Sequence, residues 1–436
     1  ERALNPEHPM AKVGAQNPDV YFQGRETVNK FYQQTPGIVK HYMQQFGEHT
    51  GRWYKPFDYV GAADATKIII AMGSGNETIH ETVEHLNTRN EKVGAIKVRL
   101  YRPFSVPDLL AVIPPTVEKI AVLDRTKEPG SIGEPLYLDI MGAINSKEGQ
   151  EAGFGNRVTI IGGRYGLSSK EFNSSHVKAV FDHLDGECFH DFTVGINDDV
   201  THRSIAINEE IDSEDAQTIK CKFWGYGSDG TISANKNSIK IIGESTDQYV
   251  QGYFSYDSHK AGGVTVSHLR FSKKPIRSTY LLTKADFVAL HRTAYIGQYD
   301  ILAGITEGGT FILNCPWGKD EAFGKLTKDM QETIKKKHIK FYVIDATTIA
   351  HDVGLRNRIN TVMQAAFFKV AGILPEEEAI NLMKDAVKKQ FARKGETIVE
   401  MNWNAIDKAS EGLLKATVPE QAIEYAPQKE HVPADS

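Results

Sequence analysis

The chain has 436 residues, and at roughly 150 residues per domain that length corresponds to about three domains. Lysine plus arginine total 51 against 56 for aspartate plus glutamate, a formal net charge of −5, which excludes a globally basic nucleic-acid binder. A hydrophobic content of 40% suits several packed cores, and no stretch approaches the roughly 20 apolar residues of a membrane span.

Residues 1–50 are polar and carry turn signals at Asn5-Pro6, Asn17-Pro18 and Pro36-Gly37, with too little apolar content for a core of their own. Glu1–Leu4 is no signal peptide, and the chain reads as beginning inside something larger. From Lys67 a regular rhythm sets in. Ile68–Met72 reads as a buried strand, and Ile79, Val83 and Leu86 form a helical stripe. Val93–Leu100 is a second strand. Ser105 and Asp108 have capping-box spacing before a helix through Leu109, Leu110 and Ile113. Ile120–Leu123 is a third strand, Leu136–Ile144 a helix and Val158–Ile161 a fourth strand, after which Ser168 and Glu171 again have capping-box spacing. Strands alternating with helices of this length predict a doubly wound, mainly parallel sheet over about 55–200.

An acidic connection over 197–215 precedes a second α/β rhythm over about 216–420. Strands are expected at Ile219–Phe223, Tyr249–Phe254, Thr279–Thr283, Thr310–Asn314 and Lys340–Ile344. Helices are expected at Thr231–Ile242, 320–337 and 355–372. The fold class is therefore α/β, with two doubly wound domains. Residues 420–436 read as a linker or tail.

Gly225-Tyr226-Gly227-Ser228-Asp229-Gly230 fits G-x-G-x-x-G, directly after a strand and at the start of a helix. In that reading Gly225 makes the tight turn, Gly227 lets the backbone approach a phosphate and Gly230 lets helix and strand pack closely. The helix N-terminus offers N–H groups to a pyrophosphate, with hydroxyls from Ser228 and Thr231. A tight βα turn without a ligand is the alternative. After the next strand come Asp257, Ser258, His259 and Lys260. An extra ribose phosphate at the basic pair favours NADP or coenzyme A over NAD.

The remaining candidates are weaker. Gly73-Ser74-Gly75 reads as a strand-ending turn, and Gly162–Gly166 as a turn or an anion site through Arg164. Asp124–Gly130 reads as a site edge or a salt-bridged loop. His80, His85 and His351 lack metal spacing. Cys188, Cys221 and Cys315 are far apart, so a disulfide scaffold or an iron–sulfur site within this chain is excluded, and Cys315 reads as a buried thiol. Arg356 and Arg358 beside Asn360 fit an anion contact or a solvated face.

Several of these runs together resemble the middle of pyruvate:ferredoxin (flavodoxin) oxidoreductases. They include Ala15–Glu26, Ala71–Gly75, Val98–Phe104, Val122–Gly130, Gly133–Tyr137, Gly162–Leu167, Phe223–Lys236, Gly262–Phe271 and Ile359–Gln364. Such enzymes decarboxylate pyruvate oxidatively with coenzyme A, giving acetyl-CoA, carbon dioxide and low-potential electrons. They use thiamine diphosphate, magnesium and 4Fe-4S clusters, pass electrons to ferredoxin or flavodoxin, and are homodimers. The resemblance implies that residues 1–54 are the tail of a pyrimidine-type thiamine domain. It makes 55–215 a transketolase C-terminal-like domain, 216–420 a coenzyme-A-binding domain and 421–436 the start of a linker domain. Thiamine and cluster residues are expected outside these boundaries, so the segment alone is not expected to be active.

The resemblance puts Gly227, Ser228, Asp229, Gly230, Thr231, Lys260, Asn360 and Asn402 on coenzyme A, with His259 a one-position alternative to Lys260. No catalytic residue and no metal ligand is expected in this segment. An NADP-binding dehydrogenase module and a non-catalytic dimerisation scaffold are the competing readings. A cytoplasmic or hydrogenosome-like compartment is expected, not secretion, with neither nucleic acid nor membrane as a partner.

Overall fold

The computed structural model describes residues 14–227, 229–256 and 263–420. The chain divides into two compact units, one running through Ser213 and taking in Arg277–Tyr280, the other comprising Glu214–Ile276 and the chain from Leu281.

The first unit opens with helices α1 (Pro18–Glu26) and α2 (Asn29–Thr50). Phe22, Phe31 and Tyr42 on these helices are more than half exposed, with relative accessibilities of 68%, 60% and 63%. Pro36 does not turn the chain, as expected, but lies inside α2, where its missing N–H removes one helical hydrogen bond. Gly51, at φ 72°, ends the helix.

The elements that follow are β1 (Phe57–Gly61), β2 (Lys67–Met72), α3 (Gly75–Thr88), β3 (Val93–Val98), α4 (Val106–Leu110) and β4 (Lys119–Asp124). Then come α5 (Pro135–Ile144), α6 (Lys147–Glu151), β5 (Thr159–Arg164), α7 (Ser174–Asp185) and β6 (Phe192–Thr193). The sheet order is β1-β3-β2-β4-β5-β6, parallel throughout except for the antiparallel edge strand β1. Helices cover both faces, so β2 is apolar on both. Ile69 and Ala71 pack with Ile79, Val83 and Leu86 of α3, and Ile68 and Ile70 pack with Leu109, Leu136 and Ile140.

Two local expectations are corrected. The capping box of α7 is Asn173 with His176, not Ser168 with Glu171: Asn173 accepts from the His176 N–H, and the His176 ring accepts from the Asn173 N–H. Thr279–Thr283 is not a strand. Its first residues belong to the first unit, where Ser278 donates to Glu81 (2.6 Å) and the Thr279 and Thr78 hydroxyls meet at 2.8 Å.

The second unit contains β7 (Ile219–Tyr226), α8 (Thr231–Ser245), β8 (Tyr249–Tyr256), β9 (Val264–Ser272), β10 (Ala285–Leu290), β11 (Ile305–Asn314), α9 (Lys328–Lys336) and β12 (Lys340–Ile344). It is completed by α10 (Ala346–Asp352), α11 (Asn360–Val370), α12 (Glu376–Phe391), α13 (Glu396–Gly412) and β13 (Leu414–Lys415). The sheet order is β13-β12-β11-β10-β7-β9-β8. Its centre, β12-β11-β10-β7, is parallel; β13 is antiparallel to β12, and β9 runs antiparallel to both β7 and β8. Both units are thus α/β folds built on mainly parallel sheet cores, as the rhythm predicts. One face of the second sheet packs on α8 and α10–α13, with Phe223, Phe287 and Phe367 at its centre; the other packs on α9 and nearby turns through Phe311, Phe323 and Phe341.

The expected helix over 320–337 is a short turn, Ala322–Lys325, followed by α9, because Thr327 accepts from the Met330 N–H and starts the helix anew. The expected helix over 355–372 begins only at Asn360. Strands β9 and β10 are not among the strands expected from the sequence. In β9, Leu269 and Phe271 alternate with His268 and Arg270, which are also buried. Arg270 is fully buried against Glu214 (2.6 Å) and Gln251 (2.9 Å).

Burial first, then the charges of Lys222 and Arg270, push the His268 ring down from 6.5 to about 3. Its Nδ1 accepts the Leu282 N–H at 3.2 Å, so the folded ring is neutral. The unfolded chain takes up this proton near 6.5 and the folded chain refuses it. Stability should therefore fall as pH drops from 6.5 toward 4, by about 1.4 kcal/mol per pH unit from this residue. His268→Gln should flatten the pH dependence of thermal unfolding in that window. An identical slope in the variant would contradict the assignment.

Candidate functional site: a polar cleft at the strand ends of the second unit

Strand β7 is followed by α8 and β8 on one side of the sheet, and the chain returns to the other side of β7 as β10. The C-terminal ends of β7 and β10 therefore form a switch point, the usual place for a ligand in an open α/β sheet. A cleft of about 490 Å³ opens there, lined by Asp229, Arg292, Asn314, Asp345, Thr347 and Asn357, among others.

The glycine-rich turn at its edge is held by its own side chains. The Asp229 carboxylate accepts the backbone N–H groups of Tyr226 (2.8 Å) and Thr231 (2.8 Å), and the Gly227 N–H donates to the Gly263 carbonyl (3.0 Å). The first helical N–H of α8 thus faces an internal carboxylate rather than standing free, as the motif suggests. Two glycine roles also exchange. Gly230, at φ 86°, makes the left-handed turn into α8. Gly225 gives the close packing, since a Cβ there would stand 2.4 Å from the Thr231 hydroxyl.

Thr231 is buried and its hydroxyl meets Nδ1 of His291 at 2.7 Å. The His291 backbone N–H donates to Trp224 on β7 (2.9 Å), and its carbonyl accepts from the Asn314 amide at the end of β11 (3.0 Å). Asn314 in turn accepts the Ala346 N–H at the start of α10 (3.0 Å). One histidine therefore ties together α8 and three strand ends. Burial pushes its ring down to about 4, partly opposed by the charge of Asp229, so it is neutral near pH 7. Asp345 caps α10 by accepting from the Thr348 N–H (2.9 Å) and hydroxyl (2.8 Å).

The residues expected on a coenzyme fall as follows. Gly227, Asp229, Gly230 and Thr231 form the turn. Asn360, first residue of α11, lies against it: a Cβ on Gly230 would stand 3.1 Å from the Asn360 Cβ. Asn402 is buried in α13, accepts from the Thr361 hydroxyl (2.9 Å) and donates to the Ile398 carbonyl (2.8 Å). Ser228, Asp257, His259 and Lys260 lie outside the described residues, as do 1–13 and 421–436.

Cys315 lines the cleft, but burial pushes its thiol up to about 11, which leaves it protonated. Arg356 and Arg358 are exposed in the turn before α11. His291, Arg292 and Asp345 were missed by sequence reasoning. Each stands at or just past the C-terminal end of a parallel strand, a position that points to a site once the strand is recognised.

In the first unit the weaker candidates are explained by packing. Arg164 pairs with Glu134 (3.3 Å) and with Asp191. A Cβ on Gly163 would stand 2.2 Å from the Phe192 ring. Asp124 caps α5 by accepting the N–H groups of Leu136 (3.0 Å) and Tyr137 (3.1 Å). Among the described residues no group of three or more His, Cys, Asp or Glu could hold a metal ion. None of their helices is long and apolar enough to cross a membrane.

A mixed α/β unit with a polar cleft at its switch point belongs to the doubly wound class, in which ligands bind at that point. Residues 220–412 match the family model described as pyruvate ferredoxin/flavodoxin oxidoreductase, and residues 65–167 match that for core domain II of pyruvate:ferredoxin oxidoreductase. The chain is 54% identical over 420 residues to a pyruvate:ferredoxin oxidoreductase of Moorella thermoacetica, covering 96% of this chain and 35% of that protein. It is 49% identical over 433 residues to a pyruvate-flavodoxin oxidoreductase of Trichormus variabilis, covering 99% and 36%. It is 47% identical over 419 residues to a pyruvate dehydrogenase [NADP(+)] of Cryptosporidium parvum, covering 95% and 22%. The chain belongs to the pyruvate:ferredoxin/flavodoxin oxidoreductase family and spans about a third of the length of the first two relatives.

Gly230→Ala would force a Cβ into the left-handed region, against Asn360. A loss of about 1–2 kcal/mol is expected in urea unfolding. An unchanged midpoint would show that the turn relaxes without cost.

Proposed function

We propose that this chain is the coenzyme-A-positioning part of an oxidoreductase that converts pyruvate and coenzyme A to acetyl-CoA and carbon dioxide, with electrons passed to ferredoxin or flavodoxin. The observation that carries this reading is the cleft at the switch point of the second unit, lined by Asp229 of the glycine turn, with Asn360 packed against Gly230 of the same turn. The same stretch lies inside the region that matches the oxidoreductase family model.

In this reading residues 1–54 are the tail of a pyrimidine-type thiamine domain, and 55–215 form a transketolase C-terminal-like domain. Residues 216–420 bind coenzyme A, and 421–436 begin a linker domain. Gly227, Ser228, Asp229, Gly230 and Thr231 hold the diphosphate side, Lys260 meets the 3′-phosphate, and Asn360 and Asn402 are polar contacts. Asn402 acts through Thr361, with which it is hydrogen-bonded. Thiamine diphosphate, magnesium and 4Fe-4S clusters belong to other parts of the enzyme. The described cysteines are free, and none of them belongs to a metal-binding group.

The role of the chain's own residues is positioning. A coenzyme fixed by its nucleotide end presents its thiol at high effective concentration to an acyl group held elsewhere. The working enzyme is a homodimer in a cytoplasmic or hydrogenosome-like compartment, where reduced thiols persist.

An NADP-binding module is disfavoured by strand order. β9 separates β7 from β8, so the two strands stand two strand spacings, roughly 10 Å, apart. A dinucleotide site of the usual kind has these strands adjacent.

Calorimetry of the full-length oxidoreductase tests the reading. Coenzyme A should bind, dephospho-coenzyme A should bind more weakly, and NADPH should give no heat. NADPH binding without coenzyme A binding would support the dehydrogenase module. No binding of any of the three would support a dimerisation scaffold.

A further inference from the structure

We infer that Arg292 is the cation that binds the diphosphate of the coenzyme in the cleft of the second unit. The inference rests on the proposed coenzyme A reading and adds a specificity-determining residue to it.

A diphosphate brings two negative charges to a cleft whose described lining already contains two carboxylates, Asp229 and Asp345. Two of the helix-end N–H groups are already taken. At α8 the Thr231 N–H is taken by Asp229, and at α10 the Thr348 N–H is taken by Asp345. His291 is neutral near pH 7. Arg292 is the one Lys or Arg side chain among the described residues that line the cleft.

Geometry prepares Arg292 for this role. Its guanidinium lies 4.2 Å from the centroid of the Tyr226 ring, the residue that opens the glycine turn. No carboxylate pairs with it among the described residues. An arginine stacked on an aromatic ring keeps its edge N–H groups for an anion, in the planar fork that suits phosphate oxygens. Arg292 also follows His291, whose hydrogen bond to Thr231 fixes the C-terminal end of β10 against α8. The cation and the glycine turn are therefore held by adjacent residues of one loop.

Arg292 follows β10 on one flank of β7, and β9 and β8 lie on the other. In the proposed reading Lys260 takes the 3′-phosphate, which leaves the diphosphate to Arg292.

The test uses the full-length oxidoreductase, with pyruvate-dependent acceptor reduction measured against coenzyme A and against dephospho-coenzyme A. Arg292→Gln should raise KM for both by the same factor, about 10- to 100-fold, as expected for loss of a charge-assisted contact. kcat at saturation should stay near wild type, and Arg292→Lys should recover part of the affinity. Unchanged thermal unfolding in the variant separates a binding loss from a folding loss.

An unchanged KM in Arg292→Gln overturns the inference. So does a rise confined to coenzyme A, which would place Arg292 on the 3′-phosphate. Asn360→Ala distinguishes this failure from failure of the underlying reading. If Asn360→Ala raises KM and Arg292→Gln does not, only the Arg292 assignment falls. If neither moves KM, the cleft is not the coenzyme site.

Discussion

The C-terminal edge of a parallel sheet creates a demand that organises both units. Each strand there hands over to a helix whose first N–H groups lack helical partners, next to a core that excludes water. This protein meets the demand with carboxylates from its own strand ends. Asp124 accepts two N–H groups at the start of α5, Asp229 brackets the turn into α8, and Asp345 caps α10. The burial of Asp124 raises its pKa despite these two hydrogen bonds, so the arrangement is held against a real desolvation cost.

That internal solution changes what the site can do. A glycine-rich turn before a helix is usually read as a ready anion cradle, because backbone N–H groups stand free. Here the cradle is partly filled by Asp229, and Gly227 is bonded to Gly263. An anionic ligand must find its positive charge elsewhere, and the cleft offers Arg292 on the far side of Tyr226. The turn supplies shape, through the left-handed Gly230 and the tight contact at Gly225, more than charge. His291 then sets the spacing between that shape and the cation, since it is bonded to Thr231 and adjoins Arg292.

Much of this architecture was legible in the sequence, for a clear physical reason. Strands buried on both faces, such as Lys67–Met72 and Lys340–Ile344, are continuous apolar runs and declare themselves. So do helices with a single apolar face, such as α3 and α8. Strand β9 was hidden because its polar residues are buried too: Arg270 and His268 break the apolar pattern but are accommodated by Glu214, Gln251 and Leu282. Missing β10 hid half of the cleft, since His291 and Arg292 had no strand end to belong to. The glycine turn was located correctly from spacing, but the roles of Gly225 and Gly230 depend on φ and on the distance to Thr231, which spacing does not encode. The pairing of Arg164 with Glu134 and Asp191 was invisible for a similar reason, because those residues are 30 and 27 positions away.

The central claim is that coenzyme A lies in the cleft over β7 and β10, with its diphosphate between the glycine turn and Arg292. The structure of the full-length oxidoreductase with coenzyme A bound tests this most directly. The account predicts diphosphate oxygens within hydrogen-bond distance of the Arg292 guanidinium, beside Gly230 and Asn360. Coenzyme found elsewhere, with only water in this cleft, would contradict it.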